Sequence, residues 1–193
     1  CSGSGTNLQA IIDSVKTGAI PATIALVASD KKDARALERA KKAGIETLVL
    51  NAKDFASREA FDREMVKNLK KRDIGLVVLA GFMRLLSPYF IGEYRNRIMN
   101  IHPALLPSFK GTRAIKDALA YGARVTGATV HFVDEEADCG PIILQKAVEI
   151  REGDTEDTLL ERVHAEEHRI YTEAIKLFVE GRLKREGRRI RIT

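Results

Sequence analysis

Seven consecutive residues without a polar side chain, GLVVLAG at 75–81, limit the fold more than any other stretch of this chain. A strand that is apolar on both faces must be covered on both faces, as a strand inside a parallel sheet flanked by helices is. The neighbouring segments agree. ATIALVAS (22–29) is rich in β-branched residues and stops at Ser29-Asp30, the expected cap of a helix over DARALERAKKAG that Gly44 closes. ETLVL (46–50) is a second short strand. SREAFDREMVKNLKKR (57–72) puts Phe61, Met65 and Leu69 on one side of an amphipathic helix. RIMNIH (97–102) predicts another buried strand and GTRAIKDALAYG (111–122) another helix. Strands alternating with helices predict an α/β chain with an open, mostly parallel, Rossmann-like sheet.

From residue 125 the pattern changes. VTGATVHFVD (125–134) alternates with the two-residue period of a half-exposed strand, and PIILQKAVEI (141–150) follows after one turn. The two predict an antiparallel addition to the sheet. Asp154-Thr155 caps a long helix to about Gly181, with Leu159, Val163, Ile170, Ala174, Ile175 and Phe178 on its apolar side. RLKREGRRIRI predicts a terminal hairpin around Glu186-Gly187.

Charge distribution narrows the partners. The net charge is +5, but KREGRRIR (184–191) holds five Lys and Arg against one Glu, and the rest of the chain is near neutral. A charged terminal edge, in place of a basic stripe within the fold, predicts no nucleic-acid partner. No run approaches the roughly 18 apolar residues of a membrane span, so no membrane partner is expected. Two cysteines, Cys1 and Cys139, form no CxxC pair, which fits a reducing, cytoplasmic compartment.

Three stretches carry chemistry. CSGSGTNLQAIIDSV opens the chain with small residues, then Leu8, Ile11, Ile12 and Val15 at helical spacing. Gly3 and Gly5 permit tight turns, while Ser4, Thr6 and Asn7 supply donors at a helix N-terminus, which attracts a phosphate. The third glycine of a dinucleotide fingerprint and the GK[ST] of a P-loop are missing, favouring a mononucleotide or sugar phosphate. On this motif alone a plain strand-to-helix turn is an equal reading. The phosphate reading requires a strand immediately before the loop, and so predicts one ahead of Cys1. NIHPALLPSFKG (100–111) sets His102 at the C-terminal end of a buried strand, where α/β folds bind ligands, with Pro103 and Pro107 stiffening the loop behind it. His102 is there a general acid or base, or else a satisfied core histidine. HFVDEEADCGPII (131–143) supplies Asp138 beside the Gly140-Pro141 turn, a carboxylate able to orient a histidine. Asp134, Glu135 and Glu136 by themselves read as a solvated loop. HAEEH (164–168) does not have the HExxH order and shows no third ligand, so no metal is expected, and no motif activates Cys139 as a nucleophile.

SGSGTNLQAI (2–11), VVLAGFMRLLSPYF (77–90), NIHPALLPSFKG (100–111), TGATVHFVDEEADCGPIILQ (126–145) and ERVHAEEHRIY in the long helix together resemble the phosphoribosylglycinamide formyltransferases, folate-dependent enzymes of purine synthesis. The similarity runs nearly end to end. It implies a Rossmann-like fold lacking its first strand here, and a catalytic trio at Asn100, His102 and Asp138. It further implies phosphate binding by Gly5, Thr6 and Asn7, and a hold on the glycinamide amine by Glu167. Folate binding falls on Arg58, Met83, Arg84, Leu85 and Leu86, on Asn100, and on Asp134, Glu135, Glu136, Ala137 and Asp138. The implied co-substrates are glycinamide ribonucleotide and 10-formyltetrahydrofolate, with no metal, in a cytoplasmic monomer or homodimer. A single domain is expected, residues 1–100 its phosphate- or nucleotide-binding half and 101–193 its catalytic and folate-binding half. Arg113 stands where many relatives have a histidine, and no role carries over to it. The rival readings are a formyltetrahydrofolate deformylase, whose relatives carry a second histidine where Pro103 stands, and a non-catalytic nucleotide-binding module. A methionyl-tRNA formyltransferase is disfavoured because no tRNA-binding C-terminal domain follows.

Overall fold

The computed structural model describes residues 5–193, so Gly3 and Ser4 of the expected phosphate loop lie outside the described residues. Contacts divide the chain into two compact units, Cys1–Met99 and Asn100–Thr193, one residue earlier than the expected halves. Asn100 therefore belongs with His102 and Asp138.

The first unit holds α1 (Thr6–Lys16), β1 (Val27–Ser29), α2 (Arg35–Lys42), β2 (Thr47–Val49), a 3-10 turn (Ala52–Asp54), α3 (Arg58–Lys70), β3 (Val77–Leu79) and α4 (Pro88–Glu93). β1 and β2 pair in parallel, Val27 with Thr47 through Ser29 with Val49. Leu8 and Ile12 of α1, Val27 of β1, and Ala36, Leu37 and Ala40 of α2 form one buried cluster. Full burial of a side chain such as Ile12 or Leu37 contributes about 1.5–3 kcal/mol.

Some boundaries differ from expectation for local reasons. The strand expected over 22–29 pairs only from Val27. The helix after it has no cap at Ser29-Asp30. The Ser29 hydroxyl instead accepts from the Lys31 N–H at 3.1 Å, closing a local turn, and α2 starts after an extended Ala34. α4 was hidden because six residues are too few to show a helical period. Ser87 caps it and Pro88 occupies its first turn, both favoured there. β3 is half-buried at all three positions.

β4 (Ile98–His102) carries the chain from the first unit into the second. The second unit adds α5 (Ala114–Tyr121), β5 (Val125–Phe132), β6 (Ile142–Glu149), α6 (Glu156–Val179), β7 (Leu183–Glu186) and β8 (Arg189–Ile192). With parallel pairing in β1–β2 and antiparallel pairing in β5–β6 and β7–β8, the fold is a mixed α/β one. The expected half-exposed face of β5 does not exist: Thr126 through Phe132 are all buried, and α6 packs on both β5 and β6. The β5–β6 register shifts between Val130 and His131, a bulge that re-aims the histidine.

α6 begins with a reciprocal cap, the Thr155 hydroxyl accepting from the Thr158 N–H and the Thr158 hydroxyl from the Thr155 N–H. Its buried stripe runs Leu159, Val163, Glu167, Ile170, Ala174 and Leu177, at spacings of three and four. Glu167 is a carboxylate on an otherwise apolar stripe, 4% exposed.

Candidate functional site

The loop after β4 is fixed by more than its prolines. Thr129 on β5 donates its hydroxyl proton to the Ala104 carbonyl at 2.6 Å and accepts from the Leu106 N–H at 3.1 Å. Gln145 on β6 donates to that hydroxyl at 3.0 Å and to the Leu106 carbonyl at 2.9 Å. One hydroxyl thus uses its single donor and both acceptor sites, which leaves the loop no freedom to slide along β5. Asn100 and His102 project from β4 just before this staple.

Four side chains of the second unit meet there: Asn100, His102, His131 and Asp138. His131 Nδ1 lies 2.8 Å from the Phe132 carbonyl, which can only accept, so Nδ1 carries the proton. Burial pushes the His131 pKa below its ordinary value, while the Phe132 carbonyl and Asp138 oppose that and His102 adds to it. The ring is therefore neutral at pH 7, and its bare Nε2 accepts from the Asn100 Nδ2–H at 3.3 Å. That contact decides which end of the Asn100 amide is nitrogen, an assignment made by the network. One N–H of the amide is spent on His131 and the second remains to be offered elsewhere.

His102 is 4% exposed. Its Nε2 donates to the Phe109 carbonyl at 2.8 Å, leaving Nδ1 facing Asp138 Oδ2 at 3.6 Å. Asp138 Oδ1 is also 3.7 Å from His131 Nε2, so the carboxylate stands between the two rings. It is fixed in turn by the Gly111 N–H at 2.9 Å on Oδ2. Phe109 and Asp138 both adopt positive φ, 50° and 53°. For a residue as bulky as phenylalanine this costs on the order of 1–3 kcal/mol, the kind of strain retained at functional sites. Two further ties hold the 138–140 loop. Lys110 Nζ lies 2.8 Å from Cys139 Sγ, and the Arg188 guanidinium donates to the Cys139 carbonyl at 2.6 Å. Arg188, part of the charged terminal edge, is thus not merely solvated.

His131 is the residue that sequence reasoning missed. It stood in a quoted segment, but on a strand that reads as half-exposed, where a polar side chain needs no explanation. Three of the four histidines, His131, His164 and His168, have pKa values lowered by burial. Each takes up its proton more readily in the unfolded chain. Stability is accordingly full above the unfolded value near 6.5, falls as pH drops below it, and levels off under the folded values. Urea unfolding at pH 7.5, 6.0 and 5.0 should show that decline. A flat profile would contradict neutral, buried rings.

The remaining predicted residues are distributed over both units. Gly5 has φ 74° and precedes α1 without a side-chain cap. A Cβ there would come within 2.9 Å of the Ala36 Cα, so only glycine fits. Thr6 and Asn7 start the helix, whose first N–H groups have no intrahelical acceptor. Met83 and Leu85 are 67% and 60% exposed, Leu86 is half-buried, and the Arg84 guanidinium lies 5.1 Å from the Phe61 ring centroid. Arg58 is exposed at the first position of α3. The end of the 83–86 segment is anchored where buried Asp62 accepts from the Ser87 N–H at 2.6 Å. Asp134 accepts from the Glu135 N–H at 2.9 Å, and Glu135, Glu136 and Ala137 are exposed. Glu167 Oε2 is 3.9 Å from His164 Nε2. His164 and His168 stack at 6.3 Å, and among the described residues no third donor joins them in a metal-binding set. Arg113 is largely exposed and faces Asp117 at 3.8 Å.

A family model described as formyl transferase matches residues 1–175. Phosphoribosylglycinamide formyltransferase of Escherichia coli (strain K12) is 50% identical over 183 residues, covering 95% of this chain and 86% of that protein. The trifunctional purine biosynthetic protein adenosine-3 of Drosophila melanogaster is 48% identical over 182 residues, or 93% of this chain but 14% of that protein. The crystal structure of glycinamide ribonucleotide transformylase 1 from Symbiobacterium toebii superposes with a TM-score of 0.98 at 53% identity, covering 100% of this chain and 91% of that one.

Proposed function

This chain belongs to the formyl transferase family, and on that premise we propose that it moves the formyl group of 10-formyltetrahydrofolate onto the primary amine of glycinamide ribonucleotide. The cluster of Asn100, His102, His131 and Asp138 is the observation that carries this reading. When the amine attacks the formyl carbon, the carbonyl oxygen gains negative charge and needs donors that are already oriented. Asn100 has one N–H left for that oxygen because neutral His131 holds the other. Asp138 faces His102 Nδ1 at 3.6 Å, a carboxylate placed to hold the ring and to balance positive charge that develops there as the proton moves. The 3.6 Å gap is typical of a catalytic contact that tightens when substrate binds. As the tetrahedral intermediate collapses, the bond from carbon to the folate nitrogen breaks. The proton that the amine has lost is carried to that leaving nitrogen by His102 or a water beside it. No covalent intermediate with the enzyme is needed.

Binding is assigned on chemical grounds. The uncapped start of α1 at Gly5, Thr6 and Asn7 receives the ribonucleotide phosphate, where the helix dipole favours an anion. Exposed Met83 and Leu85, with Arg84, Leu86, Arg58 and the 134–138 loop, receive the folate, whose flat rings suit apolar side chains. Glu167, buried on the stripe of α6, holds the glycinamide amine. On this reading the phosphate site belongs to the first unit and the catalytic site to the second. No helix among the described residues is long and apolar enough to cross a membrane, and cytoplasmic action on two small molecules fits that.

The test is a two-substrate assay. Formylated product should appear with both substrates, and formate release without the ribonucleotide should be slower by about 100-fold or more. Comparable hydrolysis would make the protein a deformylase. Binding with neither reaction would leave a nucleotide-binding module.

A further inference from the structure

A cavity of about 410 Å³ opens on the first unit, lined by Gln9 and Lys16 of α1 and by Arg35, Glu38, Arg39, Lys42 and Ala43 on and just after α2. The spacing puts these residues in rows. Gln9 and Lys16 are seven apart on α1, while Arg35, Arg39 and Lys42 are four and then three apart on α2, so each set shares one helical face. Leu8 and Ile12 of α1 and Ala36, Leu37 and Ala40 of α2 form one buried cluster, so the rows are fixed relative to one another.

Four cations against the single carboxylate of Glu38 leave the cavity a net charge of +3. Gln9 reinforces the array, its Oε1 accepting from the Arg39 guanidinium at 3.1 Å and its amide donating to Asp13 at 2.9 Å. Lys16, Arg35 and Lys42 form no ion pair among the described residues. Lys16 and Lys42 end their helices, where the macrodipole welcomes a cation. Arg35 has no such explanation. It is the first residue of α2, where the dipole opposes positive charge, and Arg39 repels it from one turn away. A cation kept where the isolated protein is better off without one points to a ligand that needs it.

We propose that this cavity binds a small molecule carrying a diphosphate or triphosphate group. The volume lies in the range of small-ligand sites, and three or four negative charges match the excess of cations. Arg35 and Arg39 give planar forks suited to phosphate oxygens, and Lys16 and Lys42 add point charges from either side. Glu38 and Gln9 are left to accept from, or donate to, a sugar hydroxyl or a base amine. The site goes beyond the formyl-transfer reading and does not depend on it.

Isothermal titration calorimetry with ADP, inorganic pyrophosphate and AMP tests this on the intact protein. ADP should bind saturably with a dissociation constant on the order of 0.1 mM or tighter at low salt, and raising ionic strength should weaken it. AMP should bind at least about tenfold more weakly, for want of the second phosphate. Pyrophosphate binding as well as ADP would mean that the phosphates alone are recognised, and ADP binding tighter would mean the nucleoside is too; either supports the proposal. Saturating glycinamide ribonucleotide should leave the ADP affinity within about twofold, because its phosphate goes elsewhere. Arg35→Glu is the informative variant. It should keep formyl-transfer activity and keep or raise Tm without ligand, yet weaken ADP at least about tenfold; Lys42→Ala should weaken it by a smaller factor. The proposal is overturned if ADP does not saturate at millimolar concentration, if AMP binds as well, if the ribonucleotide competes, or if Arg35→Glu binds like wild type.

Discussion

Asp138→Asn should lower kcat for formyl transfer by about 10²–10⁴-fold while KM and Tm change little. The substitution keeps the side-chain shape, and its oxygen can still accept from the Gly111 N–H that Oδ2 now holds at 2.9 Å. It removes only the charge that stands 3.6 Å from His102 Nδ1 and 3.7 Å from His131 Nε2. A neutral amide cannot balance the positive charge that develops on His102 as the proton moves, and that loss falls on the transition state and not on the ground state. The prediction separates catalysis from scaffolding. Asp138→Ala would also release the Gly111 N–H and disturb the loop, and a large loss there would have two explanations. Steady-state kinetics of Asp138→Asn with thermal unfolding alongside is the clean measurement. Turnover within about tenfold of wild type would remove Asp138 from the mechanism.

How much of this was legible in the sequence depended on whether one segment contained its own cause. The Thr155 cap and the stripe from Leu159 to Leu177 are set by residues three and four apart, and α6 starts and ends almost where the sequence predicts. The β5–β6 hairpin was legible for the same reason, since a single turn joins its strands. The burial of β5 was not. Thr126, Thr129 and His131 look like an outward polar face, but α6 covers the strand, and Thr129 is satisfied by Ala104, Leu106 and Gln145. Those partners lie 16 to 25 residues away in the chain, beyond the reach of any local period. The site divided along the same line. His102 could be suspected from its place at a strand end, and Asp138 from its neighbouring glycine. His131 could not, because its meaning comes from a carbonyl that fixes its tautomer and an amide that it orients. The prolines of the 103–107 loop were read as its backing, whereas the structure assigns much of that work to Thr129 and Gln145.

Gly140→Ala should be the most damaging single-methyl change in the second unit, because the added carbon strikes the carbonyl on which the site's hydrogen-bond logic depends. A Cβ at Gly140 would lie 1.7 Å from the Phe132 oxygen and 2.8 Å from its carbon. The φ of Gly140 is outside the left-handed region, so the penalty is steric and not conformational. Neither partner can step aside cheaply. The Phe132 N–H donates to the Pro141 carbonyl at 2.9 Å, which ties the two segments together on the other side of the contact. The Phe132 oxygen is also the acceptor that keeps the proton on His131 Nδ1. Displacing it frees the His131 ring to change tautomer, and the Asn100 amide then loses the acceptor that orients it. A loss of about 2–4 kcal/mol in stability is expected, or roughly 6–12 °C in Tm for a chain of this size. Activity should fall by about 100-fold or more in the protein that remains folded. Gly44→Ala is the control. Gly44 has φ 72° with open space around it, so its substitution should cost only about 1 kcal/mol of backbone strain and leave turnover intact. Urea unfolding and steady-state kinetics of the two variants side by side decide the matter, and equal behaviour would mean that the Phe132 carbonyl does not govern the site.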